Sequence, residues 1–122
     1  MIIFVLLLHF FADFVLQTHD DAMNKSTSVK HLFSHVWEYS VFTTLVMLAF
    51  AYGLGGVALL GHAYLFGAIT FVSHFSIDYV TSKWNSRLWK SGNVHDFFVG
   101  IGYDPWLHAV QLILTYVLIF GT

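Results

Sequence analysis

Histidine and carboxylate residues recur in this sequence in pairs spaced four residues apart. The pairs are His9/Asp13, His31/His35, His74/Asp78 and Asp104/His108. Because residues four apart lie on one face of an α-helix, each pair directs two side chains toward one point. Imidazole and carboxylate groups are common protein ligands of Zn, Mn and non-haem Fe. The spacing therefore predicts metal binding, with enough ligands for two ions or for one ion and a general base.

The candidate site residues have three expected roles. The candidate metal ligands are His9, Asp13, His35, His74, Asp78, Asp104 and His108. Asp13 and Asp78 are also the candidate catalytic residues, either as ligands or as the general base. Gln17 and Gln111 continue the same helical faces and are expected to hold the ligands through hydrogen bonds. The expected cofactor is a divalent transition metal (Zn, Mn or Fe), with one or two ions bound.

Each of these residues also has a simpler interpretation. A single histidine is more often a packing or interfacial residue than a ligand, and His31 near a helix start is solvated in that interpretation. Asp104 before Pro105 is typical of a helix N-cap. The pairs His9/Asp13 and His74/Asp78 favour a site most strongly, since an aspartate at the centre of an apolar helix costs about 2.5–3.5 kcal/mol on insertion scales.

The pairs lie in four apolar segments of a strongly apolar chain. Of the 122 residues, 57% are hydrophobic and only 10% are charged, against about 25% charged in a typical soluble domain. The absence of cysteine excludes disulfides and thiolate metal sites. We therefore expect an all-α fold, an integral membrane four-helix bundle that forms a single domain over residues 1–122. The expected helices cover residues 1–17, 29–52, 57–80 and 104–120.

The basic residues predict how these helices cross the membrane. All five lie in or beside two of the three connections: Lys25, Lys30, Lys83, Arg87 and Lys90. The positive-inside rule places those connections in the cytoplasm, and both termini and the "GLGG" turn outside. All four pairs then fall in the cytoplasmic half of the membrane, at about one depth. This arrangement predicts one polar chamber that opens to the cytoplasm.

The third connection has a helical pattern of its own. Lys83, Arg87 and Lys90 recur beside a stripe formed by Trp84 and Leu88. The pattern predicts a short helix between helices 3 and 4 that lies on the membrane surface, with the three basic groups toward anionic lipid headgroups. A solvated loop that carries ordinary topology charges is an equal alternative.

Several stretches of the sequence resemble a known family. They are "HFFADFVLQT", "NKS", "HLFSHV", "TFVSHFSIDYVTSKWNSRLW" and "VHDFFVGIGYDPWLH". They look like a family of small integral membrane proteins of bacteria and their phages, described as a domain of unknown function, and the likeness covers nearly the whole chain. By this resemblance, the family's polar motif positions fall on His9, Asp13, Gln17, His35, His74, Asp78, Asp104 and His108. The family pattern has Gln after its last Asp, where this chain has Pro105. A more distant similarity is to membrane-bound metal-dependent hydrolases of the bacterial inner membrane.

These observations together predict a function. We expect a metal-dependent hydrolase in the bacterial inner membrane that acts on a lipid or lipid-linked phosphoester at the cytoplasmic face. The alternatives are a protein that binds or transports a metal ion or protons, and a non-enzymatic structural or regulatory membrane protein. The formal charge of −2 gives no reason to expect nucleic-acid binding. Whether the chain is an active enzyme stays open at this point, as does its oligomeric state, a homo-oligomer included.

Overall fold

The fold is all-α, with no strand among residues 1–121, which the computed structural model describes. The elements in chain order are α1 (Ile2–Phe10), a π-helical turn (Phe11–Val15), α2 (His19–Asn24), α3 (Val29–Gly55), a 3-10 turn (Gly56–Leu59), α4 (Leu60–Lys90) and α5 (Val94–Phe120). The short helix α2 was not expected. Its N-cap is Thr18, whose hydroxyl accepts a hydrogen bond from the backbone N–H of Asp21.

The third helix expected from the sequence, residues 57–80, corresponds to α4 and extends further than expected. Residues 81–90 continue α4 without a break, so the separate interfacial helix that the sequence predicts is not a distinct element. No glycine or proline interrupts the chain between Leu60 and Lys90 except Gly61 and Gly67, which the helix tolerates. Gly92 ends the helical path with a φ of +73°, a value that glycine adopts without strain.

The last helix begins earlier than the Asp-Pro pair suggested. α5 starts after Asn93, whose side-chain oxygen accepts from the Asp96 backbone N–H. Asp104 is therefore not an N-cap, and Pro105 lies inside the helix. Proline lacks a backbone N–H, so the carbonyl of Ile101, four residues earlier, loses its helical partner. The helix nevertheless continues through this position to Phe120.

The helices pack around α4, which contacts α3 on one side and α5 on the other. α1 packs on α5, and α2 packs on α3. One cluster of buried apolar residues lies at one end of the bundle: Val5, Leu8, Met47, Ala51, Ala63, Phe66, Leu112 and Tyr116. The polar residues predicted to form a site lie at the other end, where α1 ends and α3 begins.

One helical stretch is long and apolar enough to cross a membrane, judged by length and composition. It comprises residues 29–90, that is α3, the 3-10 turn and α4. Only 11% of its most apolar 18-residue window is buried inside the protein. The residues of that window thus face outward far more than they face a core.

Candidate metal centre

Six buried side chains meet where α1, α3, α4 and α5 converge. We call them the His/Asp cluster: His9, Asp13, His35, His74, Asp78 and His108. None is more than 6% exposed. The i, i+4 pairs contributed by α1 with its π turn and by α4 face α3 and α5, as helical spacing requires. The structure thus brings together six of the seven residues that the sequence proposes as metal ligands.

Four ligand atoms within the cluster are close enough to hold one ion. They belong to Asp13, His35, His74 and Asp78, and all lie within 4.8 Å of one another. The Nε2 atoms of His35 and His74 are 3.3 Å apart. Asp13 Oδ1 lies 2.9 Å from His35 Nε2 and 3.3 Å from His74 Nε2. Asp78 Oδ2 lies 3.4 Å and 3.7 Å from the same two nitrogens.

These spacings fit a tetrahedral metal site. With metal–ligand bonds of about 2.0–2.1 Å, two ligands of a tetrahedral zinc ion are about 3.3 Å apart. The five separations given above, 2.9–3.7 Å, scatter around that value. Asp13 Oδ1 makes no hydrogen bond of acceptable geometry within the described residues, although two histidine nitrogens lie close to it. The four atoms therefore lie close enough together to surround one ion.

A second set of ligand atoms shares Asp13 with the first. Asp13, Asp104 and His108 also offer atoms within 4.8 Å of one another. His108 Nε2 lies 2.9 Å from Asp78 Oδ1 and 3.8 Å from Asp104 Oδ1. The Asp104 side chain is 20% exposed and accepts a hydrogen bond from the Thr81 hydroxyl. Asp104 thus stands at the open edge of the cluster, where a second ion or a water molecule has room.

Within the cluster, His9 is held at the margin. Its Nδ1 lies 3.0 Å from the Tyr39 hydroxyl, and its Nε2 lies 3.8 Å from Asp13 Oδ2. His9 is in neither set of close ligand atoms. Tyr39 also stacks on His74, with ring centroids 4.0 Å apart. Tyr39 therefore fixes the orientation of two cluster histidines, a role that the sequence interpretation had given to the two glutamines.

The π-helical turn explains how Asp13 reaches the cluster. The backbone N–H of Leu16 bonds to the carbonyl of Phe11, five residues back. A π-turn inserts one residue into a helix and is frequent at functional sites. Asp13 lies inside this turn and is 3% exposed. The widened turn directs its carboxylate toward α3 and α4.

Lys25 is the residue at the site that the sequence interpretation missed. Its Nζ lies 3.0 Å from Asp78 Oδ2, although Lys25 belongs to the connection between α2 and α3. Burial alone would lower the pKa of Lys25, but the charges of Asp78 and Asp13 outweigh it and raise the pKa, so the side chain stays cationic. The stretch "NKS" was visible in the sequence, but its lysine was interpreted only as a topology charge.

A buried pair places Lys25 over the cluster. His31 Nδ1 on α3 lies 2.9 Å from Asp21 Oδ1 on α2, and Asp21 is buried. The backbone N–H of Lys25 in turn bonds to the carbonyl of Asp21. His31 therefore ties α2 to α3 and is not part of the cluster.

The remaining predicted site residues lie elsewhere. Gln111 bonds to Thr115, and no hydrogen bond of the described chain joins Gln17 or Gln111 to the cluster. Lys83 lies over the Tyr79 ring, with Nζ 3.4 Å from its centroid. Among the described residues, no hydrogen bond or ion pair joins the cluster to Lys83, Arg87 or Lys90, which lie on the extension of α4.

The charges of the cluster, taken with Asp104 and Lys25 at its edge, favour a divalent cation. Asp13, Asp78 and Asp104 carry three negative charges when ionised, and Lys25 carries one positive charge. With neutral histidines the balance is two negative charges in a largely buried site. Buried charge is costly unless it is paired or bound to a metal. A buried His/Asp group that could hold a metal ion is therefore present.

Comparison with known proteins supplies a family. The model of a family described as "Protein of unknown function (DUF3307)" matches residues 1–122. The chain belongs to this family. The predicted membership of a domain-of-unknown-function family is thereby confirmed over the whole chain. No curated protein and no solved structure matches it, so the similarity to metal-dependent hydrolases has no named relative in its support.

Proposed function

We propose that this DUF3307 protein is a membrane-embedded, metal-dependent hydrolase of a lipid or lipid-linked phosphoester, with its site open to the cytoplasm. The observation that carries the proposal is the near-tetrahedral spacing of four buried atoms, two imidazole nitrogens and two carboxylate oxygens. Such a donor set is typical of Zn, Mn and non-haem Fe sites.

The outer surface supports a location in a membrane. Large apolar side chains are exposed along every long helix, among them Ile3, Leu45, Val72 and Leu118. At 1.5 Å per residue, α3, α4 and α5 are each about 40 Å or longer, which exceeds the hydrocarbon core of about 30 Å. A four-helix bundle in the bilayer accounts for this apolar exterior and for the polar cluster inside it.

The residues of the site divide into distinct roles. Asp13, His35, His74 and Asp78 would hold the ion, which would supply Lewis acidity and make a water molecule more acidic. Asp104 is the better candidate for the general base, because its carboxylate is partly exposed while Asp13 and Asp78 are enclosed among the histidines. Lys25 balances charge beside Asp78 and faces an incoming anion.

Metal analysis of the purified protein in mild detergent tests the proposal. We expect one or two equivalents of a divalent transition metal, and a sharp loss of metal in His35→Gln and Asp78→Asn. His62→Gln is the matched control, since His62 lies on α4 near Phe120, away from the cluster. Chelation should lower the melting temperature of the wild type, because an ion bound only by the folded state stabilises it.

Activity is measured in the same preparations on phospholipid and polyprenyl-phosphate substrates with added zinc, manganese or magnesium. We expect turnover in the wild type and in His62→Gln, and none in Asp78→Asn. If the protein holds no metal and added zinc or manganese does not change its melting temperature, the cluster has only a structural role, which is to hold the helices together. Full metal content in both cluster variants would remove these residues from the site.

A further inference from the structure

Two adjoining grooves lead from the cluster to the surface between α4 and α5. The inner groove, about 270 Å³, reaches Thr81 and Asp104 at the edge of the cluster. The outer groove, about 540 Å³, reaches Trp89, Phe97 and Phe98. Both are lined by Lys25, Ser82, Asn85 and Ile101, so we describe them together as the Lys25 groove. Its size is that of a small-ligand site.

The inner part of the Lys25 groove suits an anion. Among the described residues, Lys25 is the one Lys or Arg that lines it. Ser82 Oγ is buried with no hydrogen-bond partner there. The Asn85 amide lies beside it, with Oδ1 against α5 at Gly100 and without a hydrogen-bond partner. An ammonium group with nearby hydroxyl and amide groups can bind several oxygens of one phosphate.

The outer part of the groove suits an apolar chain. Trp89, Phe97 and Phe98 form its walls, and Trp89 contacts Phe97 with ring centroids 4.9 Å apart. Phe98 is 65% exposed at the mouth. These aromatic rings lie on the C-terminal part of α4 and the start of α5, at the end of the bundle that carries the basic residues. Charge at the inner end and apolar rings at the outer end match an amphiphile.

We propose that the Lys25 groove binds a single-chain phosphoester, with its phosphate on Lys25, Ser82 and Asn85 and its apolar chain between Trp89 and Phe98. This inference deepens the proposed function and rests on it for the identity of the adjoining site. It replaces Lys83, Arg87 and Lys90, which the sequence suggested as headgroup ligands, with one lysine from another connection. A phosphate held by Lys25 lies beside Asp78 and within reach of Asp104.

Binding of hexyl phosphate to the full chain in mild detergent tests the inference by calorimetry. Inorganic phosphate reports on the anion subsite alone, and heptanoate reports on a carboxylate of similar chain length. We expect hexyl phosphate to bind more tightly than either. Lys25→Met should weaken both phosphate ligands by about tenfold or more, whereas Lys83→Met should change neither. Phe98→Ser should weaken hexyl phosphate but leave inorganic phosphate unchanged.

A glycine pair supplies a test that leaves the cluster intact. A Cβ at Gly100 would lie 2.0 Å from Asn85 Oδ1, so Gly100→Ala must displace the Asn85 side chain. A Cβ at Gly102 meets nothing within 4 Å, which makes Gly102→Ala the matched control. We expect Gly100→Ala to weaken hexyl phosphate binding several-fold and Gly102→Ala to leave it unchanged. Equal affinities in both variants would remove Asn85 from the subsite and overturn the proposal.

Metal content, measured in the same samples, separates this inference from the proposed function. A protein that holds metal but binds no hexyl phosphate refutes the Lys25 groove and leaves the hydrolase proposal standing. A protein without metal that still binds hexyl phosphate through Lys25 supports the groove and refutes the hydrolase. Heptanoate binding as tight as hexyl phosphate would overturn the assignment to a phosphoester.

Discussion

At the scale of single residues, the cluster combines close packing with incomplete hydrogen bonding. His74 is stacked between Tyr39 and His108, with centroid distances of 4.0 Å and 4.1 Å. The Nδ1 atoms of His74 and His108 are buried, with no hydrogen-bond partner in the described chain. Buried polar atoms normally find partners. The orientation of these rings is therefore set by stacking and by the groups that their Nε2 atoms face.

Tyr39→Phe tests the hydroxyl that orients His9. The ring and its stacking on His74 remain, but His9 Nδ1 loses its partner in a buried place. We expect a loss of about 1–3 kcal/mol in unfolding free energy, measured as a lower melting temperature in mild detergent, with the metal content retained. Tyr116→Phe is the control, since Tyr116 is buried and makes no side-chain hydrogen bond in residues 1–121. Equal effects of the two variants would assign no role to the Tyr39 hydroxyl.

The sequence predicts the cluster well and its surroundings poorly. Helical spacing alone places His74 beside Asp78, and the inferred common depth brings them to Asp13 and His35. Lys25 is different, because its position depends on how α2 docks through Asp21 and His31. The partner of His9 depends likewise on which residue of α3 faces it. Such contacts are set by tertiary packing, which the spacing of residues along the sequence does not reveal.

At the scale of elements, one contact between α3 and α4 is unusually close. A Cβ added at Gly67 would lie 2.1 Å from Thr44 Oγ1 and 3.1 Å from Thr44 Cβ. Small residues permit such approaches between helices in membranes. Because Thr44 Cβ is anchored to the backbone, rotation of the side chain alone does not make room.

Gly67→Ala should therefore force α3 and α4 apart and destabilise the protein by about 1–3 kcal/mol. Thr44→Ala removes the opposing atoms, so the double variant should recover much of the loss. This would appear as a coupling free energy in a double-mutant cycle of melting measurements. Gly61→Ala, where a Cβ meets nothing within 4 Å, is the control and should be neutral or slightly stabilising. Additive effects of Gly67→Ala and Thr44→Ala would contradict the close approach.

The docking of α2 has a pH dependence of predictable sign. Burial would raise the pKa of Asp21, but hydrogen bonds from His31 and Thr18 outweigh it and lower the pKa. A carboxylate whose pKa is lowered by folding stabilises the protein above its unfolded pKa, about 3.8. This stabilisation is lost as the pH falls through the lower folded value.

Asp21→Asn should thus cost about 1 kcal/mol at neutral pH and flatten the acid limb of stability below about pH 4. Melting temperatures between neutral and acidic pH give the comparison. Asp20→Asn is the neighbouring control, because the Asp20 side chain is 75% exposed and lies 3.7 Å from His31. An acid limb as steep in Asp21→Asn as in the wild type would show that Asp21 does not cause it.

The helix boundaries show where composition misleads. The expected end of α4 at Val80 followed a change from apolar to basic and aromatic residues. Backbone hydrogen bonds do not require apolar side chains, and α4 continues to Lys90. Asp104 and Pro105 likewise had the residue types of a helix start. α5 instead begins at Val94, after the Asn93 cap and ten residues before Asp104.

At the scale of the whole molecule, the two ends of the bundle differ in charge. The end formed by the start of α3 and the end of α4 carries all five Lys and Arg residues, the cluster and the Lys25 groove. The opposite end, around the 3-10 turn Gly56–Leu59, carries none. α1 with its π turn, residues 2–15, spans only about 21 Å at 1.5 Å per residue. It is therefore too short to cross a hydrocarbon core of about 30 Å without local thinning or further residues.

For the membrane location that we propose, this asymmetry predicts the orientation of the protein. The positive-inside rule places the cluster end in the cytoplasm and the 3-10 turn outside. The chain has no cysteine, so single-cysteine variants need no background substitutions. Gly53→Cys suits the outer position, because a Cβ there meets nothing within 4 Å. Ser91→Cys suits the inner position, since Ser91 is exposed at the end of α4.

In intact cells, an impermeant maleimide should label Gly53→Cys but not Ser91→Cys. After permeabilisation it should label both, and the cysteine-free parent should remain unlabelled throughout. Labelling of Ser91→Cys from outside would show that the bundle has the opposite orientation, with the Lys25 groove open to the exterior. The groove would then meet extracellular or periplasmic phosphoesters rather than cytoplasmic ones. The labelling pattern therefore decides which pool of lipid-linked substrate the proposed hydrolase meets, independently of its metal content.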